Sequence, residues 1–345
     1  MSYQHFDIID TNLTTLARYV IVSDSRIRGT LLASVLTVSF LCCYMCITLY
    51  QDSVTIYVKQ DCDIDRYNVS DLQRKFPRLF IIGFGKSGTY ALTKSLQMHP
   101  SIIGKEAQEI KYFDYLYSNG LCWYIGQMRD PGPSQFMLED SPSYILHCSI
   151  VFPRLTEALK HFNLGLSDLK FIVIVRHPIV RAISDFVHWK LHKPNNTKSF
   201  DDMAIDSKGH PILKFGSTSK SRYSFYIKQC LEFVPSNQIC FVNGDMLKTS
   251  PVLTMNKLEK CLGLPSNISS DNFVFNRIRK NFCFIKNSEI ECPSTSKKGR
   301  PHPKITRRTA DILMKFYEPY NKELYEITGE DYGWDYNYDE IDIAD

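Results

Sequence analysis

Residues 79–90 read Leu79-Phe80-Ile81-Ile82-Gly83-Phe84-Gly85-Lys86-Ser87-Gly88-Thr89-Tyr90. The apolar run from Leu79 to Ile82 suits a buried strand. Three glycines bracket Lys86, with Ser87 and Thr89 alongside, and a helical pattern runs from Ala91-Leu92 to near His99-Pro100. Strand, glycine-rich turn and helix N-terminus make an anion cradle, in which backbone N–H groups and the helix dipole point at the ligand and a lysine adds full charge. A turn that binds nothing is the alternative; the clustering of Lys86, Ser87 and Thr89 favours a phosphate-like group. Walker A requires a glycine five places before Gly85, where Phe80 stands. Gly83-x-Gly85-x-x-Gly88 does fit the dinucleotide fingerprint. That motif also wants a second strand and an acidic residue about 20 positions on. Glu106 and Glu109 lie near that distance, but Ile102-Ile103 is a poor strand.

Outward from this loop, strand and helix patterns alternate. Phe136 to Asp140 reads as a short strand entering a Ser-Pro turn, and Phe171 to Val175 and Ile239 to Val242 are buried parallel-type runs. Helical patterns cover 89–98, 151–162, 179–191, 220–233, 252–262 and 305–327. The alternation predicts an α/β domain with a central parallel sheet flanked by helices. A second anion site follows the strand at 171–175. Arg176 leaves its carboxyl end and Ser184 stands about two helical turns further on, so the two can grip a phosphate from two directions. A structural ion pair is the bland reading of Arg176. A third basic element is Lys297-Lys298-Gly299-Arg300-Pro301-His302-Pro303, which otherwise reads as a solvated linker. Two cradles after two strands, plus a basic clamp, suggest a nucleotide phosphorylated at both ends.

Charge and hydropathy divide the chain further. Residues 51–329 carry 38 basic and 27 acidic side chains, an excess that suits a polyanionic partner, whereas residues 330–345 hold seven acids and no lysine or arginine. Leu31 to Tyr50 is twenty residues without a charge, about one bilayer crossing. Arg18, Arg26 and Arg28 precede it, which places the N-terminus in the cytosol. The expected organisation is a cytoplasmic tail (1–30), a signal anchor (31–50), a lumenal stem (51–76), a catalytic domain (77–334) and an acidic tail (335–345). On this topology eight cysteines are lumenal, where disulfides form, and Cys283 and Cys292 would close a short loop. Asn68, Asn195 and Asn267 begin glycosylation sequons on the lumenal side. No metal-type cysteine spacing occurs outside the span.

The ordered set of motifs resembles the heparan sulfate glucosaminyl 3-O-sulfotransferases, Golgi enzymes that use 3′-phosphoadenosine 5′-phosphosulfate (PAPS). Gly83 to Leu92 is similar to the family's 5′-phosphosulfate loop, Glu109-Ile110-Lys111-Tyr112-Phe113-Asp114 to its catalytic segment, Arg176 to Asp185 to its 3′-phosphate motif, and Lys298 to Pro303 to its late cofactor clamp. Phe316 to Asn321 and Thr328 to Trp334 are similar to its C-terminal helix and close. The resemblance implies that Lys86, Ser87, Gly88, Thr89 and Tyr90 hold the 5′ end of the donor. It implies that Arg176 and Ser184 hold the 3′-phosphate, with Lys298, Gly299, Arg300, Pro301 and His302 closing over them. Glu109 becomes the base that takes the acceptor proton, with Lys86 a catalytic cation. Glu109, Lys111, Asp114, Asp140, Cys230 and Leu231 become the acceptor contacts. The partner so implied is heparan sulfate or a related polyanionic polysaccharide, with no nucleic acid and no metal.

Four departures leave the donor motifs mostly intact and bear on the choice of acceptor. The family usually has arginine at Tyr90, histidine at Lys111, lysine at Asp140 and a cleft tryptophan at Cys230. Three readings stay open: 3-O-sulfotransfer, sulfation of another glycosaminoglycan position such as the amine, and a non-catalytic polysaccharide-binding relative. A dinucleotide oxidoreductase is a distant fourth.

Overall fold

An apolar run without alternation is buried only where both faces of its strand are covered. In the computed structural model, β1 (Leu79–Gly83) is buried along its whole length and β4 (Lys170–Val175) along all but its first residue. Residues 69–105, 109–278, 281–293, 300–335 and 337–344 are described. With β2 (Ile102–Gly104), β3 (Phe136–Asp140) and β5 (Ile239–Asn243), the two central strands form a parallel sheet of order β2-β3-β1-β4-β5. Ile102-Ile103, a poor strand by pattern, is therefore a strand after all. It is a three-residue edge held by register with Phe136 and Met137, too short to carry a pattern of its own. β3 stands between β2 and β1. The dinucleotide fingerprint needs the second strand beside the first, so the order speaks against that reading.

The helices are α1 (Val69–Lys75), α2 (Thr89–Leu96), α3 (Leu121–Gly126), α4 (Cys148–Lys160), α5 (Pro178–Leu191), α6 (Phe200–Ala204), α7 (Gly216–Ser219), α8 (Tyr223–Leu231), α9 (Gly244–Thr249), α10 (Pro251–Leu262) and α11 (Arg307–Thr328). On one face of the sheet Phe80, Ile82, Phe171 and Val173 pack on Val151, Phe152 and Leu155 of α4 and Ile227 of α8. On the other, Leu79, Ile81, Ile172 and Ile174 pack on Leu92 and Leu96 of α2 and Met255 and Leu258 of α10. A third cluster joins Ile179, Ile183 and Phe186 of α5 to Leu313 and Tyr317 of α11. Leu72 of α1 and the following Phe76 are core residues, so ordered structure begins before Pro77. The acidic tail also folds back: β10 (Ile343–Ala344) pairs in parallel with β9 (Ile305–Thr306). A small antiparallel sheet, β6 (Phe273–Asn276), β7 (Asn281–Lys286) and β8 (Glu289–Glu291), is closed by a Cys283–Cys292 disulfide. Further disulfides join Cys148 to Cys230 and Cys240 to Cys261, and Cys122 is also disulfide-bonded.

Asn195 and Asn267 are exposed; the span at 31–50 and the stem as far as Asn68 lie outside the described residues. The topology itself points to the site. From β1 the chain builds toward β3 and β2, and from β4 it builds the other way toward β5. In open α/β sheets ligands bind outside the strand carboxyl ends where the order reverses, which here is the crevice between the loops after β1 and β4.

Candidate active site

The loop after β1 is anchored at both ends. Phe84 N donates to Ile174 O of β4 (2.8 Å) and Ser87 N donates back to Phe84 O (3.1 Å). Lys86 (φ +74°) and Gly88 (φ +109°) both lie in the left-handed region. Glycine takes that conformation at no steric cost; lysine does so only where the surroundings impose it. α2 starts at Thr89 with no side-chain cap, so its first N–H groups are left to face a ligand. The Ser87 hydroxyl is buried beside the Tyr223 phenol yet finds no well-formed hydrogen bond among the described residues. A phosphate oxygen fits that vacancy in bonding.

The same loop is clamped from the β4 side. A Cβ on Gly244, the first residue of α9, would collide with the carbonyl oxygens of Ser87 and Val175. Only glycine allows the loop and the end of β4 to meet there. Arg181 of α5 is 1% exposed. Its guanidinium donates to Gly85 O (3.1 Å), Ser217 O (2.6 Å) and Ser221 Oγ (2.7 Å), and lies 3.4 Å from Asp185. One buried side chain thus ties the first cradle to the helix carrying the second.

Arg176 leaves β4 at its carboxyl end. Its Nε lies 3.4 Å from Asp245 Oδ1 and its Nη2 3.5 Å from Glu340 Oε2. Asp245 is itself fixed, accepting from His177 N and from the Trp334 indole, each at 2.9 Å. Burial pushes its carboxyl up, against the pull of Arg176. Ser184 is half-buried on α5. Burial works to raise its neighbour Asp185, but Arg181, Lys220 and Lys86 outweigh it and hold that carboxyl below its ordinary value. Burial, Lys86 and Arg300 lower His188 one turn later. Burial and Arg176 bring His302 down to about 4, against Asp342 and Glu340. Lys86 and Arg300 therefore bear on the Asp185–His188 side of α5, and Arg176 bears on His302; Pro301 is exposed, and Lys298 and Gly299 lie outside the described residues.

A pocket opens on the other side of α2. Thr89, Tyr90, Thr93, Lys94, Lys105, Glu109, Glu139 and Asp140 are among its lining. Glu109 and Lys111 face each other at 2.8 Å, both about two-fifths exposed. Burial would lower the Lys111 ammonium, but Glu109 and Asp114 raise it. Asp140 accepts from Thr93 Oγ1 (2.8 Å). Tyr90 donates to Glu291 (2.9 Å), which also pairs with Lys94 (2.9 Å), so the disulfide-closed hairpin reaches over the pocket mouth. Burial and Glu291 push the Tyr90 phenol up to about 12.

Two expected acceptor contacts are placed elsewhere. Cys230 is fully buried in the α4–α8 disulfide, because that face of α8 turns into the core; Leu231 packs partly buried against the same cluster. The Asp114 side chain is 2% exposed, takes the Tyr115 N–H (2.9 Å) and lies 3.5 Å from His147, so it braces the segment rather than facing the pocket. Sequence reasoning did not single out Gly244, Asp245, Glu340 or Glu139. For Gly244 the only available signal was Asn243-Gly244-Asp245 closing an apolar run, as at Gly83.

The sheet order and twin cradles define the sulfotransferase class: residues 76–325 match the sulfotransferase domain family. A sulfotransferase from Alicyclobacillus acidocaldarius shares the fold (TM-score 0.56, 17% identity, covering 75% of this chain and 98% of that one). Heparan sulfate glucosamine 3-O-sulfotransferase 5 of Mus musculus is 33% identical over 276 residues, covering 78% of this chain and 77% of that protein. The human 3-O-sulfotransferase 6 is 31% identical, covering 76% and 75%. The chain belongs to the heparan sulfate glucosamine 3-O-sulfotransferase family.

Proposed function

We propose that this protein transfers a sulfuryl group from PAPS to a glucosamine 3-hydroxyl of heparan sulfate. The observation that carries the reading is the junction at Gly244, where the Lys86 loop and the β4 end bearing Arg176 abut, as one nucleotide with phosphates at both ends requires. The residues fit the donor: the buried Ser87 hydroxyl has only the Tyr223 phenol beside it and no well-formed hydrogen bond among the described residues, α2 begins uncapped, and cations stand on both flanks. When bound, the donor supplies an activated sulfuryl group. Lys86 and the loop N–H groups stabilise charge growing on the leaving phosphate. Arg176 and Ser184 hold the 3′-phosphate, with Arg300 and His302 alongside. Glu109, in the adjoining pocket, accepts the proton of the attacking hydroxyl, while Lys111 balances its charge. Positioning and electrostatics dominate such group transfers.

The test incubates the domain with sulfate-labelled PAPS and heparan fractions of defined sulfation, then maps the labelled disaccharides. Label on the 3-hydroxyl is expected; label confined to another position, or none, defeats the reading.

We also propose a single-pass type II orientation in the Golgi with the domain in the lumen. Supporting it are the uncharged stretch at 31–50 with its preceding arginines, the disulfides of the domain, and exposed Asn195. Protease protection of the domain in sealed Golgi vesicles checks it.

A further inference from the structure

Glu139 plays no part in the transfer just described, yet it sits 2% exposed near the end of β3. Burying a carboxylate is costly unless its lone pairs are used, and an apolar residue of similar size would serve packing better. Three hydroxyls donate to it: Ser141 (2.8 Å) and Tyr144 (2.6 Å) to Oε1, and Tyr124 to Oε2. Two of them accept in turn from the segment that carries Glu109. Lys111 N donates to Ser141 Oγ (2.9 Å) and Phe113 N donates to Tyr144 Oη (3.1 Å).

A hydroxyl can rotate to donate or accept. A carboxyl oxygen behind it settles the matter: Oε1 of Glu139 accepts from both O–H groups, and their lone pairs are left facing the backbone N–H groups. The segment needs such support, because Lys111 sits at φ +53°, a conformation that L side chains rarely adopt.

We propose that Glu139 is a positioning residue: through Ser141 and Tyr144 it fixes the backbone from Lys111 to Phe113 and so aims the Glu109 carboxylate at the acceptor hydroxyl. The assignment rests on Glu109 being the base. The groups facing Glu139 are Tyr124 of α3, Tyr144 of the turn after β3, and Asp114 of the segment itself. Burial and the Glu139 charge keep both tyrosines neutral. Burial, with Asp114, raises Glu139 to about 7 although the three hydroxyls pull it down.

Two variants test this. Glu139→Gln adds donors and leaves one acceptor oxygen, so at least one hydroxyl must turn away. Tyr144→Phe removes the arm to Phe113, and with it one of the three donors to Glu139, but leaves the Ser141 arm to Lys111; it is the milder change should the first fail to fold. In each, kcat should fall at least tenfold while the PAPS KM and the affinity for 3′-phosphoadenosine 5′-phosphate (PAP) hold. Hydrogen exchange should quicken at the Phe113 amide in both, and at Lys111 in Glu139→Gln, while the β1 and β4 amides stay as slow as in wild type. Folded variants with wild-type kcat, or unchanged exchange at these amides, overturn the proposal. An inactive wild-type protein would defeat the functional reading instead, and exchange in the same samples tells the two failures apart.

Discussion

The two sides of α2 are built differently. On the donor side the polar groups are backed by buried partners: Arg181 is 1% exposed, and Asp245 is held by a backbone N–H, an indole and Arg176. On the proposed acceptor side the Glu109–Lys111 pair is about two-fifths exposed and lies on irregular chain, with its proposed bracing one layer deeper at Glu139. A donor common to a whole enzyme class suits a rigid cradle on sheet and helix ends. An acceptor reached from solvent suits an exposed pair of side chains on a segment whose backbone stays pinned. Of the four residues that depart from the resembled pattern, Tyr90 and Asp140 line the pocket with Glu109 and Lys111 pairs with Glu109, whereas Cys230 is buried in a disulfide.

The largest effect should come from the exposed side. Glu109→Gln should lower kcat by about 100-fold or more, the scale of a lost general base, and leave PAP affinity unchanged by calorimetry. A folded, active variant would remove the chemical half of the comparison.

The two sides should also titrate in opposite senses. Burial brings His177, behind Arg176, down to about 4, so its share of stability is complete above the unfolded value near 6.5 and is lost as pH falls toward 4. Glu139 is raised to about 7, so its folded form resists ionisation and stability is lost as pH climbs from about 4.5 to 7. Each slope amounts to roughly 3 kcal/mol at most. In the wild type they oppose each other between pH 4.5 and 6.5. Thermal melts should show Glu139→Gln gaining stability with rising pH across that window, and His177→Gln losing it. Parallel slopes in the two variants would contradict the opposition.

Gly244→Ala tests the junction directly. Forcing a methyl group against two backbone carbonyls should cost about 1–3 kcal/mol and weaken PAP binding about tenfold, leaving the acceptor segment's exchange pattern unchanged. Wild-type PAP affinity would mean that the two cradles do not cooperate.

The smallest effect concerns the tail. Glu340 pairs with Arg176 and Lys248, which together keep its carboxyl low although burial works to raise it. On the proposed donor placement it would compete with an incoming phosphate for Arg176. Glu340→Gln should tighten PAP binding by a few fold at low salt, the scale of a half-exposed ion pair, and the gain should fade as salt screens it. Weaker binding would make Glu340 a brace for Arg176 instead.

Much of the donor side was legible in the chain. β1, β4 and β5 are continuous apolar runs, and the helices after β1 and β4 are long enough to show their period, so Lys86, Ser87 and Arg176 could be placed after strand ends, and Ser184 on the following helix, before any fold was known. β2 was not legible, because three residues at an edge become a strand only through a neighbour's register. Cys230 went astray for a related reason: alignment to a family pattern places a residue along a helix but does not say which face turns inward. α1 lay in a stretch read as stem because its core residue Leu72 and the following Phe76 are too few to show a period.

By itself the sequence determined the local chemistry: which runs could be buried, which turns could cradle an anion, and which strand carried a terminal arginine. Only the tertiary structure decided what meets what. It set Gly244 against Ser87, Arg181 under Gly85, Glu340 on Arg176 and Glu139 behind Lys111. The physical reason is range: hydrophobic period and turn chemistry act over a few neighbouring residues. A shared hydrogen bond or a close backbone approach joins residues from 30 to more than 150 positions apart, and exists only once the sheet order has been set.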